Sequence, residues 1–261
     1  MKMIFAGLAT LAIGAMTAAG AIADGLPRGG SIKDAPPPAA GCAYFGGFFV
    51  GGHAAWNDYK TSRNDRDHFL SNATAAGFTE ADDAFGGGVG VGYNFQNRGK
   101  CTMWGVEGDF SWSGLKTTTL INPNHPAAVG DDFRITSTAD WIATLRTRGG
   151  IIVDNALLYL TGGLAFTDIR TQFRHNHNGT NDPHSYTFSE TQVGMVAGAG
   201  LEIALTERIS LKSEVLYFNF GDWKRTGTGS VAHFGASPLN QHQFSGNDEV
   251  WSSRTGINVR F

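Results

Sequence analysis

Charge is scarce in this chain. Lys and Arg number 20 and Asp and Glu 23 among 261 residues, a charged fraction of 16% and a formal net charge of −3. No basic stripe marks a nucleic-acid partner. Cysteine is scarcer still: two residues cannot build a disulfide-dense scaffold, and alone they are too few to ligate a structural metal. Proline numbers 8, and the 36 glycines follow no three-residue period, which excludes a collagen-like chain. Beyond the N-terminus no run of apolar residues reaches the ~18–20 that a spanning helix needs. What is plentiful is apolar (41%) and aromatic (11%) side chain, too much for a disordered chain. The length suits a single closed β architecture as well as two domains.

Residues 1–23 carry one cation, Lys2, then an apolar run from Met3 to Met16 and small residues ending Ala21-Ile22-Ala23. This reads as a secretory signal peptide cleaved after Ala23. Residues 24–41 hold four of the eight prolines and little to bury, and read as an extended periplasmic linker. The folded domain is expected over 42–261.

That domain alternates with a period of two. Phe85, Val89, Val91, Tyr93 and Phe95 oppose Gly86, Gly88, Gly90, Gly92 and Asn94. Trp104, Val106, Phe110 and Trp112 oppose Glu107, Asp109, Ser111 and Ser113. Trp141, Ala143, Leu145 and Ile151 oppose Asp140, Thr144, Arg146 and Arg148. The pattern recurs over Leu158–Phe166, Val193–Ile203, Leu211–Tyr217 and Trp251–Phe261, and with a first segment over Tyr44–Trp56 it predicts eight strands.

Alternating strands fit a soluble sandwich with its apolar face inward or a membrane barrel with that face outward. Glycines beside charges on the polar face suit a crowded lumen better than open solvent. Short turns near 97–100, 153–156 and 205–208 alternate with long polar segments near 57–83, 116–138, 170–191 and 222–249, which read as extracellular loops. The remaining prolines, Pro123, Pro126, Pro183 and Pro238, fall in those segments and outside every predicted strand. The prediction is an all-β, eight-stranded antiparallel up-and-down transmembrane barrel with short periplasmic turns and long extracellular loops.

Several local patterns point the same way: Gly47-Phe48-Phe49-Val50-Gly51, Gly105-Val106-Glu107-Gly108-Asp109, Asp140-Trp141 with Thr144, Arg146 and Arg148, and Thr161-Gly162-Gly163-Leu164-Ala165. Further along come Gly198-Ala199-Gly200-Leu201-Glu202, Leu211-Lys212-Ser213-Glu214, and Arg254, Gly256, Asn258, Arg260 and Phe261. In that order they resemble the alphaproteobacterial outer-membrane immunogenic proteins, small porin-family barrels related to the OmpA-like transmembrane domain. The resemblance spans about residues 44–261. It implies a Gram-negative outer-membrane location, a surface antigen, and a C-terminal assembly signal in Trp251, Ile257, Val259 and Phe261 that the β-barrel assembly machinery reads during insertion. Phe45 and Phe49 stand where such proteins usually carry Trp and Tyr.

On the lumen face Glu107, Asp109, Arg146, Arg148, Glu202, Lys212, Glu214, Arg254 and Arg260 form the nearest thing to a functional constellation. Glu107 is expected level with Arg146 and Arg148, and Glu202 level with Lys212, so that pairs form across the ladder. Such pairs either exchange partners as a gate or fill and rigidify the barrel. Gly86, Gly88, Gly90 and Gly92 are expected to open the lumen locally. Cys42 and Cys101, both at the periplasmic end of an oxidising compartment, are a candidate disulfide, with two free thiols as the alternative.

The pair His184-Ser185 places no nucleophile beside a base, since neighbours on an extended chain point apart. No catalytic, cofactor or metal site is therefore expected. Arg174-His175-Asn176-His177 with His184, assigned to a surface loop, reads as plain polar surface rather than a transition-metal site. The functional reading is a non-enzymatic structural surface protein supporting envelope integrity, with outer-membrane lipid and lipopolysaccharide as expected partners and a monomeric state. Its rivals are a low-conductance diffusion channel for small solutes and an adhesin acting through its loops.

Overall fold

A computed structural model of the chain describes residues 41–65, 77–121, 132–177, 180–228 and 241–261. The expected signal peptide and nearly all of the expected linker lie outside the described residues. Eight strands run as β1 (Gly47–Asp65), β2 (Gly77–Phe95), β3 (Thr102–Ile121), β4 (Asp132–Val153), β5 (Ala156–His177), β6 (Thr180–Ala204), β7 (Ile209–Thr228) and β8 (Gln241–Arg260). Each pairs antiparallel with the next, and β8 pairs with β1 to close the barrel. Closure leaves no unpaired edge where lipid could offer no hydrogen bond.

The strand faces follow the alternation. Outward lie two aromatic belts. Tyr93, Phe95, Trp104, Phe48 and Phe261 form the lower one, with Phe95 stacked on Trp104 at 4.1 Å between centroids. Trp56, Phe85, Trp112, Trp141, Tyr217 and Trp251 form the upper, with Tyr217 and Trp251 at 4.9 Å. Between them Val50, Val89, Val91, Leu145, Leu160, Leu164, Met195 and Val215 face outward with much of their surface exposed. From Phe48 to Trp56 a tilted strand rises about 20 Å, near the height of an outer-membrane apolar band.

The strands are longer than the alternation predicted. The polar segments expected as loops are largely ladder: Asn57–Asn64 pairs with Gly77–Ala84, and Lys116–Ile121 with Phe133–Thr138. Backbone pairing needs no apolar face, so a strand wall standing in water carries no lipid signal to read. Pro183 lies inside β6 rather than in a loop. It sits where the β5–β6 register breaks between Arg174↔Ser185 and Asn176↔Asn181, the kind of irregularity that tolerates a missing N–H. His175 and His177 end β5 and His184 lies in β6, so that group is not a loop either; its side chains lie outside the described residues, as do Pro123, Pro126 and Pro238.

Above the upper belt the ladder is not continuous around the barrel. The β2–β3 pairing ends at Gly87↔Trp112 and the β6–β7 pairing at Met195↔Asn219. The β7–β8–β1–β2 and β3–β4–β5–β6 pairings continue upward, so the described residues beyond the membrane form two four-stranded leaves. Register shifts mark the transition on three strands, at Trp112/Leu115, Ala139/Ile142 and Asn219/Asp222. Gly114 and Gly221, with φ of 61° and 74°, supply the left-handed residue at two of them. The third shift leaves Asp140 exposed rather than inside the lumen, where alternation placed it.

Candidate functional site

The lumen is filled in three layers. At the periplasmic mouth, residues 42–46 fold in under the barrel. Cys42 is disulfide-bonded to Cys101 at the start of β3, with Cα atoms 5.6 Å apart. Phe45, fully buried, donates its N–H to Gln96 Oε1 at 2.6 Å and accepts from Asn94 Nδ2 at 2.8 Å. It packs with Met103, Ile152, Leu157 and Tyr159 into an apolar stopper. The alternation placed Phe45 within a first strand over Tyr44–Trp56, whereas β1 begins at Gly47 and Phe45 turns under the mouth ahead of it.

The second layer holds the charges. Register sets Glu107 opposite Arg146, Glu202 opposite Lys212 and Glu214 opposite Arg254. Arg146, 1% exposed, is the hub: it donates to Glu107, to Asp109 at 3.0 Å and to Glu214 at 3.2 Å. Arg148 bridges Glu202 at 3.0 Å and Glu107 at 3.4 Å. Lys212 lies 3.3 Å from Glu107 and 3.7 Å from Glu214, and Arg254 lies 2.8 Å from Asp109. Four carboxylates thus meet four cations, so the buried charge balances.

Neutral side chains occupy much of the remaining hydrogen-bonding capacity. Tyr159 and Ser210 donate to Glu214 and Glu202 at 2.9 and 2.5 Å, and Asn258 donates to Glu202 at 3.1 Å. His53 contacts Ser111 at 2.9 Å, and Ser111 donates to Asp109 at 3.3 Å. Charge spacing alone had not singled these out, though each shares the parity of the charged face.

Arg260 stands apart from the eight. It lies 4.7 Å over the Phe45 ring and donates to the carbonyls of Thr206 and Glu207 at 3.5 and 3.3 Å. Its place at the end of β8 puts it level with the stopper and the β6–β7 turn rather than with the carboxylates.

Of the glycines expected to open the lumen, Gly92 does not, while Gly90 lines the small cavity that remains. Gly92 lies directly opposite Phe49, whose ring comes within 2.6 Å of where a Cβ would stand. Tyr159 lies over Gly200 in the same way. The Arg148 guanidinium sits over both rings, 4.4 Å from Phe49 and 5.4 Å from Tyr159. At Gly92 and Gly200 the space of the missing side chain is therefore occupied by a ring from the next strand, and the two rings then hold a cation. A cavity of about 10 Å³ remains beside His53, Gly90, Glu107, Asp109, Lys212 and Asn258, about the room one water needs.

The third layer lies above the charges and is apolar. Tyr59, Leu115, Ile142, Ile169, Leu216, Phe218, Phe220 and Val250 meet inside the barrel among its buried core residues. The readable signal for it was Val215–Phe220, where both faces of β7 are apolar or aromatic over several residues. Higher still, Tyr59 and Trp223 donate to Asp248 at 2.6 and 2.7 Å, and Ser137 and Thr171 bond at 3.0 Å. Among the described residues no group of three or more His, Cys, Asp or Glu side chains could hold a metal ion.

A closed antiparallel barrel with a lipid-facing apolar band between two aromatic belts is an integral outer-membrane protein. Residues 6–247 match the family described as "Outer membrane protein beta-barrel domain", and the chain belongs to that family. It is 31% identical over 192 residues to the 31 kDa outer-membrane immunogenic protein of Brucella melitensis biotype 1, covering 73% of this chain and 69% of that one. It is 28% identical over 190 residues to the 22 kDa outer membrane protein of Rhizobium leguminosarum bv. viciae, covering 72% and 69%. The crystal structure of OprG from Pseudomonas aeruginosa shares the fold, with a TM-score of 0.51 and 17% identity, covering 84% of this chain and 97% of that one.

Proposed function

We propose that this chain acts as a closed, non-enzymatic structural barrel of the outer membrane, supporting the envelope rather than conducting solutes. The observation that carries this reading is the three-layer filling of the lumen. An exchange of partners within the charge layer would still leave the Phe45 stopper below it and the Phe218–Phe220 layer above it. A hydrated ion passing either layer would lose solvation that apolar side chains cannot replace. Trp251, Ile257 and Val259 on β8 and Phe261 just after it face outward, a surface an assembly machinery can read, which supports the C-terminal signal reading. The test is planar-bilayer conductance of the refolded mature chain, with folding verified by its heat-dependent gel shift. Silence is expected, in the parent and in Glu107→Gln alike. Discrete conductance steps would overturn the reading in favour of a diffusion channel.

A further inference from the structure

The two leaves above the membrane carry different charge on their outer faces. On β7–β8–β1–β2, Asp58, Asp83, Asp222 and Glu249 outnumber Lys60 and Lys224, and Lys60 stands directly opposite Glu249. Asp58 stands directly opposite Asp83. On β3–β4–β5 the exposed cationic side chains among the described residues are Lys116, Arg134 and Arg170. Register aligns Lys116, Thr138 and Arg170 in a single row, Lys116↔Thr138 on one side and Thr138↔Arg170 on the other. Of the described carboxylates on this leaf, Asp140 and Asp168 lie nearer the membrane, Asp168 accepting from Ser189 at 3.0 Å, and Glu190 is exposed on β6 opposite Ile169.

The height of that row is informative. Thr138 is three residues above Trp141 of the upper belt, about 7–8 Å along the membrane normal for a tilted strand. That is the zone of lipid headgroups. Lys116 and Arg170 flank Thr138 with Cα atoms about 10 Å apart, a span that two long cationic side chains close over one tetrahedral anion. Among the described residues their charged ends are not paired with a carboxylate, unlike the lumen cations a few residues below. Thr136, Thr118 and Gln172 occupy the next row on the same face and add hydroxyl and amide donors without negative charge.

We propose that the Lys116–Thr138–Arg170 row binds the phosphate of a phosphorylated lipid headgroup in the outer leaflet, fixing one such lipid against the β3–β4–β5 leaf. Arg170 supplies a planar fork to the phosphate oxygens and Lys116 a point charge. Arg134, further from the membrane, extends the positive field toward the sugar side of the headgroup. The acidic outer face of the opposite leaf repels the same group, so the lipid is held on one side of the barrel only.

The test uses the full mature chain folded in neutral detergent, with lipid A and its dephosphorylated form as probes and native mass spectrometry counting bound lipid. Lys116→Gln with Arg170→Gln is expected to weaken lipid A retention about tenfold or more, to the level of the dephosphorylated probe. Lys60→Gln, on the opposite leaf, is expected to leave it within about twofold, and Arg170→Lys within a few-fold, because each keeps the row's charge. The gel shift confirms that each variant is folded. Retention unchanged in the double variant, an equal loss in Lys60→Gln, or full displacement of lipid A by excess inorganic phosphate would each overturn the proposal.

Discussion

Replacing Arg146 with Met probes whether the lumen charges hold the barrel together or merely fill it. Among the described residues Arg146 is the one cation bonded to three carboxylates, Glu107, Asp109 and Glu214, and it is fully enclosed. Met keeps roughly the length of the side chain but leaves four carboxylates facing three cations. Breaking a buried ion pair from one side costs about 3–5 kcal/mol, mostly because the remaining charge is stranded away from water. The loss should therefore be several times that of an ordinary surface change. Adding Glu214→Gln to Arg146→Met restores three against three, and Gln can still accept from Tyr159, now 2.9 Å from Glu214. The double variant should accordingly recover at least about 1 kcal/mol relative to Arg146→Met alone, a coupling that independent sites would not show. The assay is urea unfolding in lipid vesicles followed by tryptophan fluorescence, four of the chain's six tryptophans lying in the upper belt. A loss below about 1 kcal/mol in the single variant, or a double variant no more stable than it, would refute the reasoning.

Three further outcomes are expected. Gly92→Val should force the Phe49 ring out of its place, costing about 1–3 kcal/mol in the same titration, whereas a change at Gly99, with open space around its Cβ position but φ of 84°, should show only the smaller cost of backbone strain. Cys42→Ser with Cys101→Ser should destabilise the oxidised barrel by about 2–4 kcal/mol, the loop closed being 59 residues in separation, and the difference from the parent should vanish when both are unfolded under reducing conditions. Asp58, outside the apolar band, has its carboxyl pKa raised by partial desolvation and by Asp83 opposite, against the opposing effect of Lys60. A carboxylate whose folded pKa is raised penalises folding above that pKa and ceases to do so as pH falls below the ordinary unfolded value. Asp58→Asn should therefore raise the unfolding temperature slightly near neutrality and converge with the parent below about pH 4; a gain that persists in acid would show another cause.

Legibility differed between the two faces of the wall. A two-residue period can be read without any knowledge of partners, because the lipid side must be apolar at every second position whatever lies inside. Phe48, Val50 and Trp56 were separable from Phe49, Gly51 and His53 on that ground alone, and the same held at Leu145 against Arg146. The period faded above Trp56, Trp112, Trp141 and Trp251, where the wall leaves lipid and either face tolerates polar residues. That is why the strand ends from Asn57 to Asp65 and from Lys116 to Ile121 looked like loops.

What sequence determined by itself was the class, the sidedness and the cross-strand rows. Strand parity and counting up from the short turns set Glu107 level with Arg146 and Arg148 and Glu202 level with Lys212, and the β3–β4 register then puts Arg146 directly opposite Glu107. Tertiary structure alone decided how the lumen is closed. Whether Gly92 marks a hole or a seat depends on Phe49 of another strand; whether Phe45 belongs to the first strand or to a stopper depends on the mouth it enters; and whether Arg260 joins the carboxylates depends on a turn from β6 to β7. Packing across a lumen joins residues distant in the chain, and no local period records which of them will meet.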